Sequence, residues 1–156
     1  MTPCCSRYED ICITIEDIEK KQKSKQIRKI KFQDIMPANL CVHAYHAAFP
    51  YCLTLLKKGW FLWVKKGDGV ICQCPNPNGS VVMKVKTHSE DNISISVEDV
   101  RGICPCNHKK GDWFIFDPKT MKEYPELFSI VYPSVIELQY GKKKAFPCKQ
   151  SIRRYL

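Results

Sequence analysis

The chain lacks a long apolar run, since no stretch approaches the roughly 18 consecutive apolar residues that a membrane-spanning helix needs. Its first residues, MTPCCSRYEDICITIEDI, also lack the basic segment followed by an apolar stretch that marks a secretory signal. These two absences count against a membrane-spanning or secreted protein. We therefore expect a soluble cytoplasmic protein that has no membrane partner.

Glycine is scarce, at 7 of 156 residues. Lys-Lys-Gly-Asp occurs twice, at 65–68 and 109–112, but a phosphate-binding loop needs more glycines, so both copies are predicted to be turns. The sequence also lacks a paired carboxylate, a Ser-His-Asp order and a cofactor loop. These absences count against an enzyme and favour a binding or accessory domain.

Cysteine, in contrast, is abundant, with 10 residues in a chain that is 44% hydrophobic. In a secreted protein these cysteines would indicate disulfides, whereas in a cytoplasmic protein they indicate free thiols or metal ligands. The length and the apolar content suffice for one ordinary domain or for two small interlocked halves with a packed core.

Two pairs of segments point to an internal duplication. ITIEDI (13–18) matches ISVEDV (95–100), which lies 82 residues further on. AAFPYCLTL (47–55) matches IVYPSVIEL (130–138) at an offset of 83 residues. Two matches at nearly the same spacing predict a tandem repeat.

Each repeat is predicted to be a strand–strand–helix–hairpin unit, with the first repeat at 1–90 and a C-terminally truncated second repeat at 91–156. The fold class is therefore α+β, with the two units forming one compact pseudo-symmetric globule. A proline inside each helix, Pro50 and Pro133, should kink or split it. The predicted strands are 11–18, 27–33, 80–87, 93–101 and 113–116, the predicted helices are 39–57 and 125–140, and WFLWV and GVICQ form a hairpin about KKGDG.

Two cysteine–proline turns flank the predicted hairpin of 80–87 and 93–101. If the hairpin centre lies between positions 89 and 91, Cys74 faces Cys106 and Cys72 faces His108. Four thiolates in one place suit Zn²⁺ in tetrahedral geometry or an iron–sulfur cluster. The predicted metal ligands are Cys72, Cys74, Cys104, Cys106 and His108.

Alternatives to this ligand set stay open. The second cysteine of each Cys-x-Cys pair can point away from the first, which would leave Cys74 with Cys104 or Cys106 and His108. The cysteines would otherwise be reduced side chains that pack as small hydrophobes beside rigid turns. LCVHAYHAAFP adds candidate ligands in Cys41, His43 and His46, because the two histidines share a helix face. Either histidine could instead satisfy a buried backbone group.

The formal net charge of +9 is unevenly distributed. Such basic segments attract nucleic acid or an acidic partner protein, although a solvated lysine-rich surface is the alternative. The aromatic residues Trp60, Phe61 and Trp63 are expected in the core, with a base-stacking platform as the alternative. The candidate basic surface consists of Lys20, Lys21, Lys23, Lys25, Arg28, Lys29, Lys31, Arg153 and Arg154.

ISVEDVRGICPCNHKKGDWFIF, a helix with AYHAAFPYCLTL and the segment VICQCPNPNGSVVMKV resemble a small uncharacterised repeat-protein family of bacteria and archaea. The resemblance covers nearly the whole chain as a degenerate duplication, with a Cys-Pro-x-x-His-x-x-Gly-Asp turn, a helix with an aromatic–Pro step and a closing Cys-Pro-x-Pro. It implies fold and motif positions and supplies no function. Each half keeps what the other has lost, which favours one composite site containing Cys74 and Cys104, with His46 and His108 as possible further members.

Three functions follow from these patterns. The first is a non-enzymatic binding or accessory domain of unknown cellular role with a single thiolate site for structural zinc or an iron–sulfur cluster. The second is a thiol-based redox or metal-dependent enzyme with Cys104 or Cys106 as nucleophile beside Lys109 and His108. The third is a nucleic-acid-binding protein that uses the basic surface.

Overall fold

The computed structural model of the chain describes residues 11–18, 25–77, 79–121 and 125–140. These residues form two antiparallel sheets and two helices, so the α+β prediction is confirmed. The elements in chain order are β1 (Cys12–Ile18), β2 (Lys25–Lys31), a short 3₁₀ helix (Phe32–Ile35), α1 (Val42–Leu56), β3 (Val70–Gln73), β4 (Gly79–Thr87), β5 (Ile93–Gly102), β6 (Trp113–Phe116) and α2 (Glu126–Tyr140).

β1 and β2 form a two-stranded sheet, and the other four strands form a second sheet in the order β3-β4-β5-β6. Side chains alternate along β4 and β5, so that one face of the second sheet is buried and contacts α1. The opposite face carries polar groups such as Lys84 and Glu98, whose Nζ and Oε2 atoms lie 3.6 Å apart. The buried set from these two strands is Val81, Met83, Val85, Ile93, Ile95 and Val97.

The predicted register of the β4–β5 hairpin is confirmed in the half next to its turn, where Thr87 pairs with Ile93 and Met83 pairs with Val97. A bulge between Val82 and Met83 then shifts the pairing by one residue, so that Val82 faces Asp99. Bulges add twist and bend a strand. The hairpin therefore does not continue in the predicted register towards the two cysteine turns.

The predicted pairing of Cys72 with His108 is wrong. β3 turns back on β4 as a second hairpin, in which Cys72 faces Met83. Cys74 lies just beyond this pairing, and its backbone N–H donates to the carbonyl of Val81 over 2.9 Å. The two cysteine turns therefore approach each other across the end of β4 and not as facing strand residues.

The predicted hairpin of WFLWV with GVICQ is also wrong. Residues 60–64 form no strand, and among the described strands β3 pairs only with β4. The expectation that the aromatic residues of this segment lie in the core fails for Trp60 and Trp63, which are exposed, whereas Phe61 is half-buried. The apolar composition of the segment is typical of a buried strand, but the side chains of Trp60, Leu62 and Trp63 face solvent.

Neither proline splits its helix, because α1 runs through Pro50 and α2 through Pro133 without a break. Pro50 lies on the exposed side of α1. The carbonyl four residues earlier, which lacks a backbone N–H partner because of the proline, is therefore on the side of the helix that faces water and not the apolar core. The hydroxyl of Thr54 donates to the Pro50 carbonyl over 2.8 Å. The prediction of two helices at these positions is confirmed, and of the two predicted alternatives, a kink or a split, the split does not occur.

Aromatic rings from four elements fill the centre of the core. The rings of Tyr45 on α1 and Phe128 on α2 lie 4.4 Å apart, and Phe128 also stacks on Phe32 at 5.7 Å. Phe49 and Phe116 complete the cluster against Tyr45. The cluster thereby joins both helices to the four-stranded sheet.

In the part of the chain that the structure describes, neither helix has the length and apolar character to cross a bilayer.

Candidate functional site

Three separate parts of the chain meet at one small cavity of about 10 Å³ beside the N-terminal end of α1. The first cysteine turn (residues 72–77) and the second cysteine turn (residues 104–108) line it together with the start of the helix. We call it the cysteine cavity. Its lining side chains with sulfur or imidazole groups are Cys41, His43, Cys74, Cys104, Cys106 and His108.

His108 ties the second cysteine turn to the start of α1. Its Nε2 atom accepts a hydrogen bond from the backbone N–H of Cys41 over 3.1 Å, in a buried setting. Cys41 is the N-cap residue of α1, and its own side chain makes no capping bond. Because helix N-termini leave backbone donors without intrahelical partners, the imidazole supplies an acceptor at this end of the helix.

The other ring nitrogen of His108 faces a carboxylate, with Nδ1 3.7 Å from Oδ2 of Asp112. The same carboxylate oxygen accepts the backbone N–H of Lys109 over 2.8 Å. Since Nε2 is an acceptor, we assign the proton to Nδ1. Burial lowers the pKa of His108, and Asp112 partly opposes this effect. In this arrangement His108 positions the site, and its lone pair is already engaged.

Two backbone N–H groups, those of Asn76 and Val81, favour the thiolate form of Cys74. The Ser80 hydroxyl donates to the Cys74 carbonyl over 2.9 Å and fixes the turn. Burial nevertheless raises the pKa of Cys74, with smaller raising effects from Cys41 and Cys104, while the two backbone N–H groups lower it. N–H groups aimed at a sulfur are the kind of outer-shell support that tunes a thiolate ligand.

The second cysteine turn closes with the Asn107 N–H bonded to the Cys104 carbonyl over 2.9 Å. Asn107 has φ 60, a left-handed conformation that asparagine tolerates better than most residues. The turn approaches β4 so closely that a Cβ on Gly79 would lie 1.9 Å from the Ile103 carbonyl oxygen. Only glycine fits there without displacing backbone, so Gly79 permits the two cysteine turns to meet.

The thiols of the cavity differ in state. Cys41, Cys74 and Cys104 are not disulfide-bonded, and all three line the cysteine cavity. Cys106 is disulfide-bonded, and none of the free cysteines is its partner. Among the described residues, no group of three or more His, Cys, Asp or Glu side chains stands ready to hold a metal ion.

Cys72 is buried in β3 and does not line the cysteine cavity. Burial raises its pKa to about 12, and Cys74 adds to the effect. The still more buried Cys52 of α1 lies close enough for Cys72 to raise its pKa further. The predicted ligand Cys72 thus belongs to the apolar core in this structure.

The predicted helix face of His43 and His46 points to α2. His43 is half-buried, lines the cysteine cavity and has its Nδ1 atom 3.2 Å from the Tyr132 hydroxyl. His46 is exposed and stacks on the Tyr132 ring at 3.9 Å with an interplanar angle of 5°. Burial lowers the pKa of both histidines. His43 therefore lines the cysteine cavity, whereas His46 does not.

The candidate basic surface is described only in part. Lys29 and Lys31 lie on β2 with exposed side chains. Lys25 and Arg28 belong to the same strand. The remaining members lie outside the described residues, namely Lys20, Lys21, Lys23, Arg153 and Arg154.

Two positions of the site were not singled out from the sequence. Asp112, which faces His108, was read only as a turn residue of Lys-Lys-Gly-Asp, although a His followed four residues later by Asp is a usable signal. Gly79 carried no signal, since its closeness to Ile103 arises from tertiary contact.

No protein-family model, no curated protein and no solved structure matches this chain.

Proposed function

We propose that this chain is a non-enzymatic binding or accessory domain whose fold is closed at one end by a single cysteine-thiolate metal site. The main support for this proposal is the cysteine cavity, which is lined by thiols and imidazoles from distant parts of the chain. Cys41 and His108, for example, are 67 residues apart in the sequence. Such convergence from three segments is what a structural metal stabilises, since one ion then joins parts of the chain that are distant in sequence.

Zn²⁺ is the ion that we propose, with Cys41, Cys74 and Cys104 as ligands. Reduction of Cys106 would supply the fourth thiolate of a tetrahedral set, and His43 is the alternative fourth ligand. A cavity of about 10 Å³ suits one ion better than an iron–sulfur cluster, which remains the alternative cofactor. Because a ligand group is not preformed in the described residues, side-chain rotation must draw the sulfurs together on binding.

The contacts of the site favour a structural over a catalytic role. Burial raises the pKa of Cys74, whereas a nucleophilic cysteine needs a lowered pKa. The Nε2 lone pair of His108 is bonded to the Cys41 N–H, so it cannot also accept a thiol proton in this arrangement. A thiol-based enzyme with Cys74 as nucleophile and His108 as base would need both features to change, and one with Cys106 as nucleophile would need its disulfide to be reduced.

We also propose that the fold arose by tandem duplication, with repeats at 1–90 and 91–156, as in the repeat family that the sequence resembles. The order strand, strand, helix occurs in both halves, and each helix has 15 residues and an internal proline. The proposed boundary falls in the turn between β4 and β5. Since those two strands pair over nine positions, the halves would share one sheet.

We place the protein in the cytoplasm and give it an acidic partner protein, with nucleic acid as the less favoured partner. The net charge of +9 supports an anionic partner, and Lys29 and Lys31 are exposed on β2 for such a contact. Nucleic-acid binding through this strand would weaken steeply as salt rises, because phosphate contacts release counterions.

Native mass spectrometry of the anaerobically reduced chain tests the metal proposal. We expect one zinc per chain, and loss of that zinc in each single variant Cys41→Ser, Cys74→Ser and Cys104→Ser. Cys12→Ser is the matched control, since Cys12 is a free cysteine exposed on β1, and it should keep the metal. A chain that stays metal-free while it remains folded would contradict the proposal, and visible absorption from bound iron would favour the cluster.

A further inference from the structure

The segment that follows α1 exposes apolar side chains. We call residues 57–69, with the sequence KKGWFLWVKKGDG, the apolar loop. Leu62 has an exposed fraction of 102% and Trp63 of 74%, and Trp60 is exposed to 40%. Leu62 is therefore as accessible as in an extended peptide, which means that it stands out from the surface.

The apolar loop holds this conformation through its own hydrogen bonds. The Gly59 N–H donates to the Thr54 carbonyl over 2.8 Å as the helix ends. The indole N–H of Trp60 donates to the Val64 carbonyl over 2.9 Å and closes the loop across Leu62 and Trp63. An ordered loop that presents two apolar side chains to water is typical of an interaction site.

Aromatic contacts anchor the base of the loop. The ring of Phe61 lies 5.4 Å from that of Tyr51 on α1 and 5.2 Å from that of Trp63. Phe61 therefore packs inward and supports Trp63, whose own ring remains largely exposed. Truncating Leu62 or Trp63 should consequently leave the core unchanged.

Lysine pairs flank the apolar tip on both sides. Lys57 and Lys58 precede it and already have partners, in Glu126 at 3.6 Å and in a backbone carbonyl of the β4–β5 turn. Lys65 and Lys66 follow it with exposed side chains, and their ammonium groups make no hydrogen bond or ion pair to any other described residue. A positive rim around an apolar tip complements a surface that is anionic outside and apolar within.

We propose that the apolar loop docks this protein onto an anionic lipid bilayer. Leu62 and Trp63 would enter the boundary between headgroups and acyl chains, and Lys65 and Lys66 would meet the lipid phosphates. Leu62 favours a bilayer over single-stranded nucleic acid as the partner, because a leucine has no aromatic face on which a base can stack. A tip that projects from the surface also suits insertion into a bilayer better than a nucleic-acid strand, which needs a groove.

This contact differs from a membrane span, and it revises the expectation of no membrane partner, which rested on the absence of a spanning segment. It is also independent of the metal site. The cysteine cavity lies at the N-terminal end of α1 and the apolar loop at its C-terminal end, and the 15-residue helix separates them by about 22 Å. Either proposal can fail while the other holds.

Co-sedimentation of the reduced 156-residue chain with vesicles tests the proposal. We expect binding to equimolar phosphatidylcholine and phosphatidylserine, weak binding to phosphatidylcholine alone, and a blue shift of tryptophan fluorescence with the first. Leu62→Ala should lower the affinity about ten-fold, as expected for the lost burial of a leucine side chain. The double variant Lys65→Gln/Lys66→Gln should lower it by at least about ten-fold, because each lysine contributes near an anionic surface.

Matched controls come from exposed residues elsewhere. Ile71→Ala removes a side chain that is 54% exposed on β3, and Arg101→Gln/Lys110→Gln removes two charges from exposed positions on β5 and in the turn that follows it. Both controls should bind vesicles as the natural sequence does. Equal binding of the loop variants and the controls would overturn the proposal. The proposal would also be overturned if the chain bound single-stranded DNA and not vesicles, and if the loop variants abolished that DNA binding.

Discussion

The Nε2 atom of His108 accepts a hydrogen bond from the backbone N–H of Cys41 over 3.1 Å, although the two residues are 67 positions apart in the chain. The bond joins the second cysteine turn to the first residue of a helix. It also leaves His108 with both ring nitrogens engaged, since Nδ1 faces Asp112. His108 therefore holds the second cysteine turn against the start of α1, and we expect the neighbouring thiols, not this imidazole, to bind the proposed metal ion.

We predict that His108→Ala lowers the free energy of unfolding of the metal-free chain by about 1–3 kcal/mol or more, because it leaves the Cys41 N–H buried without an acceptor. His108→Gln retains an oxygen acceptor of similar reach and should lose less. Urea denaturation with a chelator and reductant measures both values. Equal losses in the two variants would show that the acceptor makes no contribution.

Gly79→Ala should separate the two cysteine turns. The added Cβ would lie 1.9 Å from the Ile103 carbonyl oxygen, so backbone must move, and we expect a loss of about 3 kcal/mol together with weakened zinc binding. Gly67→Ala is the matched control, because Gly67 has a φ of +92 but nothing within 4 Å of its added Cβ. It should cost about 1–2 kcal/mol from conformational strain alone. A smaller loss for Gly79→Ala than for the control would contradict this account of the turn.

The metal-free chain should lose stability in alkaline solution. Burial raises the pKa of Cys52 above the usual 9.0, and burial followed by the effects of Cys52 and Glu126 raises that of Tyr45 above 10.0. Both groups then keep their protons in the folded state at a pH where the unfolded chain has released them. Their contribution to stability is complete below about pH 9 and is lost as pH rises, by up to about 1.4 kcal/mol per pH unit for each group.

Urea midpoints between pH 7 and pH 11 measure this dependence. Cys52→Ala should flatten the decline between pH 9 and pH 10, whatever its effect on stability at neutral pH. A natural chain whose midpoint stays constant above pH 9 would show that neither group is protonated in the folded state beyond its usual range.

Tyr45→Phe should stabilise the protein. The Tyr45 ring is fully buried in the aromatic cluster, and its hydroxyl has no hydrogen-bond partner among the described residues. Removing a buried unsatisfied hydroxyl without leaving a large cavity should raise the free energy of unfolding by about 1 kcal/mol. Tyr51→Phe, at a half-buried position of the same helix, should change it little. A destabilised Tyr45→Phe variant would indicate that the hydroxyl is bonded.

Local patterns predicted most of the elements. β6 (Trp113–Phe116) was predicted to the residue, and β5 and α2 to within one residue at each end, because their alternation and helical spacing are carried by consecutive side chains. The segment 60–64 was wrongly predicted as a strand, since its apolar composition is typical of burial although Trp60, Leu62 and Trp63 are exposed. Composition does not reveal which way a loop faces.

The site was predicted less well than the elements, for a physical reason. The β3–β4 hairpin turns within residues 74–79, so Cys72 is directed into the core while Cys74 reaches the cavity. Cys41 and His43 join the site because α1 begins beside the second cysteine turn, a contact between residues far apart in sequence. The residue types and the two cysteine turns were recognisable, but which cysteines meet depends on tertiary packing.

The absorption spectrum of Co²⁺ bound to the reduced chain tests the central proposal most directly. Cobalt replaces zinc in thiolate sites, and its spectrum reports both tetrahedral geometry and sulfur ligation. We predict one tetrahedral cobalt per chain with strong sulfur-to-cobalt charge-transfer bands, which the triple variant Cys41→Ser/Cys74→Ser/Cys104→Ser abolishes and Cys12→Ser preserves. The spectrum of fully hydrated cobalt in the natural chain, or an unchanged spectrum in the triple variant, would contradict a metal site in the cysteine cavity.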